Sequence, residues 1–178
     1  MAERTLLYGV TGSGKSVLAE RIAAVTGIPW HSVDDLTWEP GWVQVPDDEQ
    51  RRRFEEICAG ERWILDTAYS RWRDVALARA ELIVALDYPR WLSLGRLLAR
   101  TVARVLDGRP VCNGNRETWR TALARDSIVA WHFRTFTRKR RLIRAWEADP
   151  PVPQFVRLTS PRETERWLAT LVEPAAAA

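Results

Sequence analysis

Short apolar runs alternate along this chain with longer stretches in which apolar residues recur every three or four positions. That alternation predicts parallel strands separated by helices. Thr5, Leu6, Leu7 and Tyr8 form the first run, and Lys15 opens a helical stretch that reaches Thr26, where Gly27 and Pro29 end it. Residues 29–33 read as a short strand that delivers Asp34 and Asp35 at or just beyond its end, and residues 36–42 are turn-rich without periodicity. Asp47 and Asp48 read as capping residues of a charged helix to about Ala59, with Phe54 and Ile57 turned inward. Residues 62–66 read as a buried strand ending in Asp66, and residues 70–80 as a helix. The clearest strand is 82–87, a continuous apolar run stopped by Asp87 and Pro89; Asp87 reads as the cap of the next helix. Long helices are predicted over 90–106 and 118–146, separated by a loop containing Asp107-Gly108 and Asn113-Gly114-Asn115. Residues 154–158 form the last strand, Pro161 sits at the favoured first position of a final helix, and residues 175–178 are expected to fray.

This order predicts an α/β fold, a five-stranded parallel sheet with helices on both faces. A chain of 178 residues suits one such domain, covering 1–178. Ligands of these sheets bind at the carboxyl ends of the strands. Gly9, Asp34, Asp66 and Asp87 all fall there, so the site is expected to be assembled from several strands.

The first strand-to-helix turn carries the most specific chemistry. Gly9, Val10, Thr11, Gly12, Ser13, Gly14, Lys15 and Ser16 fit G-x-x-x-x-G-K-S in the strand–loop–helix context that a phosphate-cradling P-loop requires. Its glycines let backbone N–H groups turn inward at a helix N-terminus. Lys15 is expected to reach the outer phosphates and Ser16 to offer its hydroxyl to Mg²⁺. Phosphoryl transfer also needs a carboxylate to orient the metal or the nucleophile. Asp66 is the expected Mg²⁺ partner. Asp34 is a candidate for holding or deprotonating an acceptor hydroxyl, or else a helix cap. Trp30, Trp38 and Trp42 surround Asp34 and are expected to pack or to line a pocket.

Charge changes the picture in the middle of the chain. Residues 1–89 carry 10 basic and 15 acidic side chains, 90–145 carry 14 and 3, and 146–178 carry 3 and 5. The basic middle should face something anionic. Arg96, Arg100 and Arg104 repeat along one helix face, and Arg116, Arg120 and Arg125 follow the Asn-Gly-Asn loop. Two helices joined by such a loop resemble a lid, at about 105–126, that closes over phosphates and supplies positive charge. Arg138-Lys139-Arg140-Arg141 reads as a solvated run, and His31 and His132 receive no role. Nucleic acid is a possible but less favoured partner, because no recognised reading motif accompanies the charge. No apolar stretch approaches a membrane span, and the chain enters its first strand without a signal peptide. Cys58 and Cys112 lack metal-ligand spacing and are expected to be reduced thiols of a cytoplasmic protein.

Taken together, these segments resemble the adenylate-kinase-like P-loop proteins, and more closely the bacterial topology modulation proteins. The resemblance rests on Gly9 to Ser16, Asp34-Asp35-Leu36 with Trp38-Glu39-Pro40-Gly41-Trp42, Leu65-Asp66 with Tyr69-Ser70-Arg71, Leu86-Asp87-Tyr88-Pro89-Arg90, and Asn113-Gly114-Asn115-Arg116-Glu117. It implies a nucleoside triphosphate, taken as ATP with GTP as the alternative, bound with Mg²⁺. It also implies a small-molecule acceptor between the second and third strands, a mobile lid, and an acceptor-contacting arginine at Arg71. Thr67-Ala68 stands where related sequences usually have Gly-Asn, so the acceptor is left open.

Overall fold

The computed structural model describes residues 2–125 and 127–172; the tail at 175–178 lies outside them. In chain order the elements are β1 (Arg4–Gly9), α1 (Lys15–Thr26), β2 (Trp30–His31), α2 (Val33–Thr37), β3 (Trp38–Glu39), β4 (Val43–Gln44) and α3 (Asp47–Ala59). There follow β5 (Trp63–Leu65), α4 (Arg73–Leu77), β6 (Leu82–Leu86), α5 (Arg90–Asp107), α6 (Trp119–Ala122), α7 (Ile128–Ala148), β7 (Gln154–Leu158) and α8 (Pro161–Val172). Five strands form a parallel sheet of order β2-β5-β1-β6-β7. β1 is central, so the loop that follows it opens at the middle of the sheet's carboxyl edge, between the ends of β5 and β6.

Period-2 alternation along β1 divides the core into two layers. Leu6 and Tyr8 point to one face, where Phe54, Trp63, Trp72, Ile143 and Trp146 pack. Leu7 points to the other, against Leu18, Ile22, Ile64, Val84 and Leu168. Each fully buried side chain of this size stabilises the fold by about 1.5–3 kcal/mol relative to exposure. Helices therefore cover both faces of the sheet, the expected three layers.

Local chemistry explains where the elements depart from expectation. β2 is shorter than predicted because the Ser32 hydroxyl accepts from Asp35 N at 3.4 Å and starts α2. Asp34 and Asp35 thus occupy a helical first turn, where negative charge is favoured. The turn-rich 36–42 stretch opens a hairpin: β3 pairs antiparallel with β4, and Gly41 and Trp42 both take positive φ. Asp47 and Asp48 lie inside the first turn of α3 rather than capping it. The helix expected over 70–80 contracts to α4, since Tyr69 bonds to Asp34 and Trp72 stacks on Phe54. The helix expected over 118–146 is two helices. Thr118 and Thr121 form a reciprocal cap on α6, and the Ser127 hydroxyl accepts from Ala130 N to begin α7. Asp87 does not cap α5. Its carboxylate is fully buried and pairs with Arg140 and Arg157, tying α7 and β7 to the end of β6. Among the described residues no helix is long and apolar enough to cross a membrane.

Candidate phosphate-binding site

The loop from Gly9 to Gly14 folds around its own carbonyls. Val10 O accepts from Ser13 N at 3.3 Å, from Ser13 Oγ at 2.8 Å and from Lys15 Nζ at 2.9 Å. Gly14 is the N-cap of α1 in the left-handed region, so the first turn of α1 opens directly on the cleft. Gly12 is fixed twice over. Its φ is +81°, and a Cβ there would lie 2.3 Å from the Ser93 carbonyl oxygen and 2.9 Å from Leu97 Cβ. The loop is therefore seated directly on α5.

Two helices hold the loop from behind. From α5, Arg96 donates to Ser13 O at 3.4 Å and lies over the Tyr88 ring. From α7, His132 contacts Thr11 O at 3.0 Å and Lys139 Nζ donates to Gly9 O at 3.1 Å. Because a carbonyl must accept, His132 Nδ1 carries the proton, and burial lowers its pKa. These contacts correct two expectations: His132 backs the loop, and the Arg138–Arg141 run is not uniformly solvated. Lys139 faces the cleft and Arg140 pairs with Asp87. A basic run on a helix reads alike whichever face meets the protein, so only the contact across 130 residues reveals it.

The remaining side chains converge on the open side of the loop. Ser16 Oγ donates to Asp66 Oδ2 at 2.5 Å, and Asp66 Oδ1 accepts from Val33 N at 3.0 Å. Burial pushes the Asp66 carboxyl up, while its hydrogen bonds from Ser16 and Val33 oppose that. Burial brings Lys15 down to about 8, with Asp66 and Asp34 acting the other way. Asp34 is exposed to the cleft and accepts from the Tyr69 hydroxyl at 2.8 Å. A hydroxyl beside a carboxylate at the loop is a hard-oxygen donor set of the kind Mg²⁺ takes alongside phosphate oxygens. Among the described residues no group of three or more His, Cys, Asp or Glu side chains could hold an ion without such help.

These groups line a cleft of about 480 Å³ together with Arg96, Arg100 and Arg104. Arg104 pairs with Glu117 at 2.8 Å, whereas Arg100 Nε is buried without a hydrogen-bond partner among the described residues. That orphaned donor suits an anionic ligand. The expected Arg71, Arg116 and Arg120 are exposed and stand apart from this lining. Arg71 pairs with Asp47, and Arg116 donates to Gly108 O at 2.7 Å.

The Asn-Gly-Asn loop is docked on the segment after Asp34. Asn113 Nδ2 donates to Asp35 O and Trp38 O, both at 2.7 Å. Asn115 is buried; it donates to Glu39 O at 3.0 Å and accepts from Trp42 N at 2.7 Å. Trp42 Nε1 closes the contact on Arg116 O at 3.2 Å.

No protein-family model matches the chain, and no curated protein matches it in sequence. Solved structures do match. A gluconokinase from Sinorhizobium meliloti 1021 aligns with TM-score 0.52 at 20% identity, over 97% of this chain and 94% of that one. A shikimate kinase from Bacteroides thetaiotaomicron aligns with TM-score 0.52 at 13% identity, over 99% of each. Identities this low carry the fold alone. The chain has an α/β fold with a five-stranded parallel sheet, like that of these two solved structures.

Proposed function

We propose that the protein binds ATP with Mg²⁺ and transfers the γ-phosphoryl group to a hydroxylated small-molecule acceptor. The observation that supports this reading best is the convergence of Lys15, the Ser16–Asp66 pair and Asp34 on one cleft at the loop. In this reading the loop N–H groups and Lys15 hold the triphosphate. Ser16 and Asp66 hold Mg²⁺, which when bound neutralises phosphate charge. Asp34, kept in place by Tyr69, accepts the proton of the acceptor hydroxyl. Arg100 and Arg104 neutralise charge on the transferred group. Arg71 belongs to the acceptor side, and Arg116 and Arg120 to a lid over about 105–126 that brings them inward on closure. The named activities of the two aligned structures, a gluconokinase and a shikimate kinase, favour a small-molecule acceptor. The resemblance to the topology modulation proteins rests on the sequence segments quoted above alone.

Calorimetric titration with MgATP tests the first half of the proposal. Saturable binding that is lost in a folded Lys15→Ala variant is expected. Equal affinity in that variant would contradict it.

A further inference from the structure

The chain contains 27 lysine and arginine residues, and only two of them, Lys15 and Lys139, are lysines. Both line the same cleft, and they donate to successive carbonyls of the same loop, Lys15 to Val10 O at 2.9 Å and Lys139 to Gly9 O at 3.1 Å. They reach it from helices far apart in the sequence, α1 and α7. Arginine supplies every other cation in this chain, so a compact ammonium stands just where a phosphate loop must be approached from above and behind. A guanidinium is planar and far bulkier. It would have to fit where Lys139 Nζ lies, between the Gly9 carbonyl and the Tyr8 ring 5.6 Å away.

We propose that Lys139 is a second phosphate-binding ammonium of this site, which exchanges the Gly9 carbonyl for a phosphate oxygen when the ligand enters. An ammonium has three donors, so once it leaves the Gly9 carbonyl Lys139 can meet more than one phosphate oxygen. Its position on α7, with His132 two turns earlier against Thr11 O, ties phosphate binding to the helix that follows the proposed lid. The inference rests on the nucleotide-binding reading above and adds to it a cation that the P-loop pattern does not contain.

The charges around Lys139 give the binding a proton signature. Burial lowers Lys139 to about 7; Lys15 from α1 and Arg138 on its own helix lower it further, and Asp34 from α2 raises it. His132 shares its face of α7, and the Tyr8 ring covers it from β1. Near neutral pH Lys139 therefore gives up its proton more readily than an exposed lysine. An incoming phosphate favours the charged form, so binding should draw in a proton.

The test is titration of the full chain with MgATP at pH 7.5 in buffers of different ionisation enthalpy, which yields affinity and protons taken up together. Lys139→Gln keeps a donor for Gly9 O and removes the charge; Lys139→Met removes both, and thermal melting checks that each variant is folded. Wild type should take up protons on binding, and both variants should take up fewer. Both should bind about tenfold or more weakly, the worth of one hydrogen bond to a charged group. Unchanged affinity and uptake in Lys139→Gln would overturn the inference and leave Lys139 a tie to Gly9. Inorganic triphosphate separates the inference from the nucleotide reading beneath it. Wild type that binds triphosphate but not MgATP, with the same losses in the variants, would overturn the nucleotide and uphold Lys139. Binding of neither would overturn both.

Discussion

Replacing Gly12 by alanine isolates the contact on which the Gly9–Gly14 loop rests. Gly12 and Gly114 share φ +81°, so an alanine at either meets the same left-handed backbone cost of about 1–2 kcal/mol. Their surroundings differ. At Gly114 a Cβ meets nothing within 4 Å, whereas at Gly12 it would lie 2.3 Å from Ser93 O and 2.9 Å from Leu97 Cβ. Both of those atoms belong to α5, and Leu97 is fully buried, so neither is a flexible side-chain end that can swing away. Relieving such an overlap costs a further ~1–3 kcal/mol in a packed interior. The unfolded-chain effect of adding a methyl group is common to both substitutions and cancels in their difference. Urea unfolding of the two variants should therefore show Gly12→Ala less stable than Gly114→Ala by about 1–3 kcal/mol, at unchanged m-value. Equal losses would refute the seating of the loop on α5.

Three further outcomes follow from the same geometry. Asn115→Ala leaves Trp42 N–H and Glu39 C=O without their partner and should cost about 1–3 kcal/mol, read by urea unfolding, with faster amide exchange at Trp42; unaltered exchange would count against the docked loop. Lys15 and Lys139 titrate at about 8 and about 7, below the ordinary 10.5, so the unfolded chain binds more protons across that interval. Stability of the ligand-free protein should therefore rise from about pH 7 to 9, above which Cys58 and Cys112, raised to about 11 and about 12, work the other way. A urea midpoint that falls between those pH values would contradict the partial desolvation of the two lysines. Asp66→Asn should weaken the Mg²⁺ dependence of ATP binding while the fold persists, and an unaltered dependence would remove Asp66 from the metal role.

The sequence made the loop and the frame legible because their signals are local. G-x-x-x-x-G-K-S sits between an apolar run and a helix, and Gly27 ends α1 in the left-handed conformation its position suggests. The apolar run that became β6 is buried along its length, so its bounds are readable from hydrophobicity. The stretches that misled are those where a side chain answers to a distant partner. Ser32 turns strand into helix by capping α2, and Gly41 with Trp42 folds a hairpin that has no apolar periodicity. Asp87 looks like a cap by position, yet its partners Arg140 and Arg157 lie on α7 and β7. The arginine stripe of α5 was visible as a helical face, but nothing local shows that it lines the cleft. Lys139 is the extreme case, a member of a basic run whose one distinguishing property is the carbonyl it meets.

Phosphoryl transfer itself is measured most directly by ADP release from MgATP, alone and against a panel of nucleoside monophosphates, sugar acids and polyols. Release stimulated by one acceptor class, absent in Lys15→Ala and sharply reduced in Asp34→Asn, is the predicted result. Tight MgATP binding with no stimulation by any acceptor, and no effect of Asp34→Asn on the residual hydrolysis, would contradict the kinase reading.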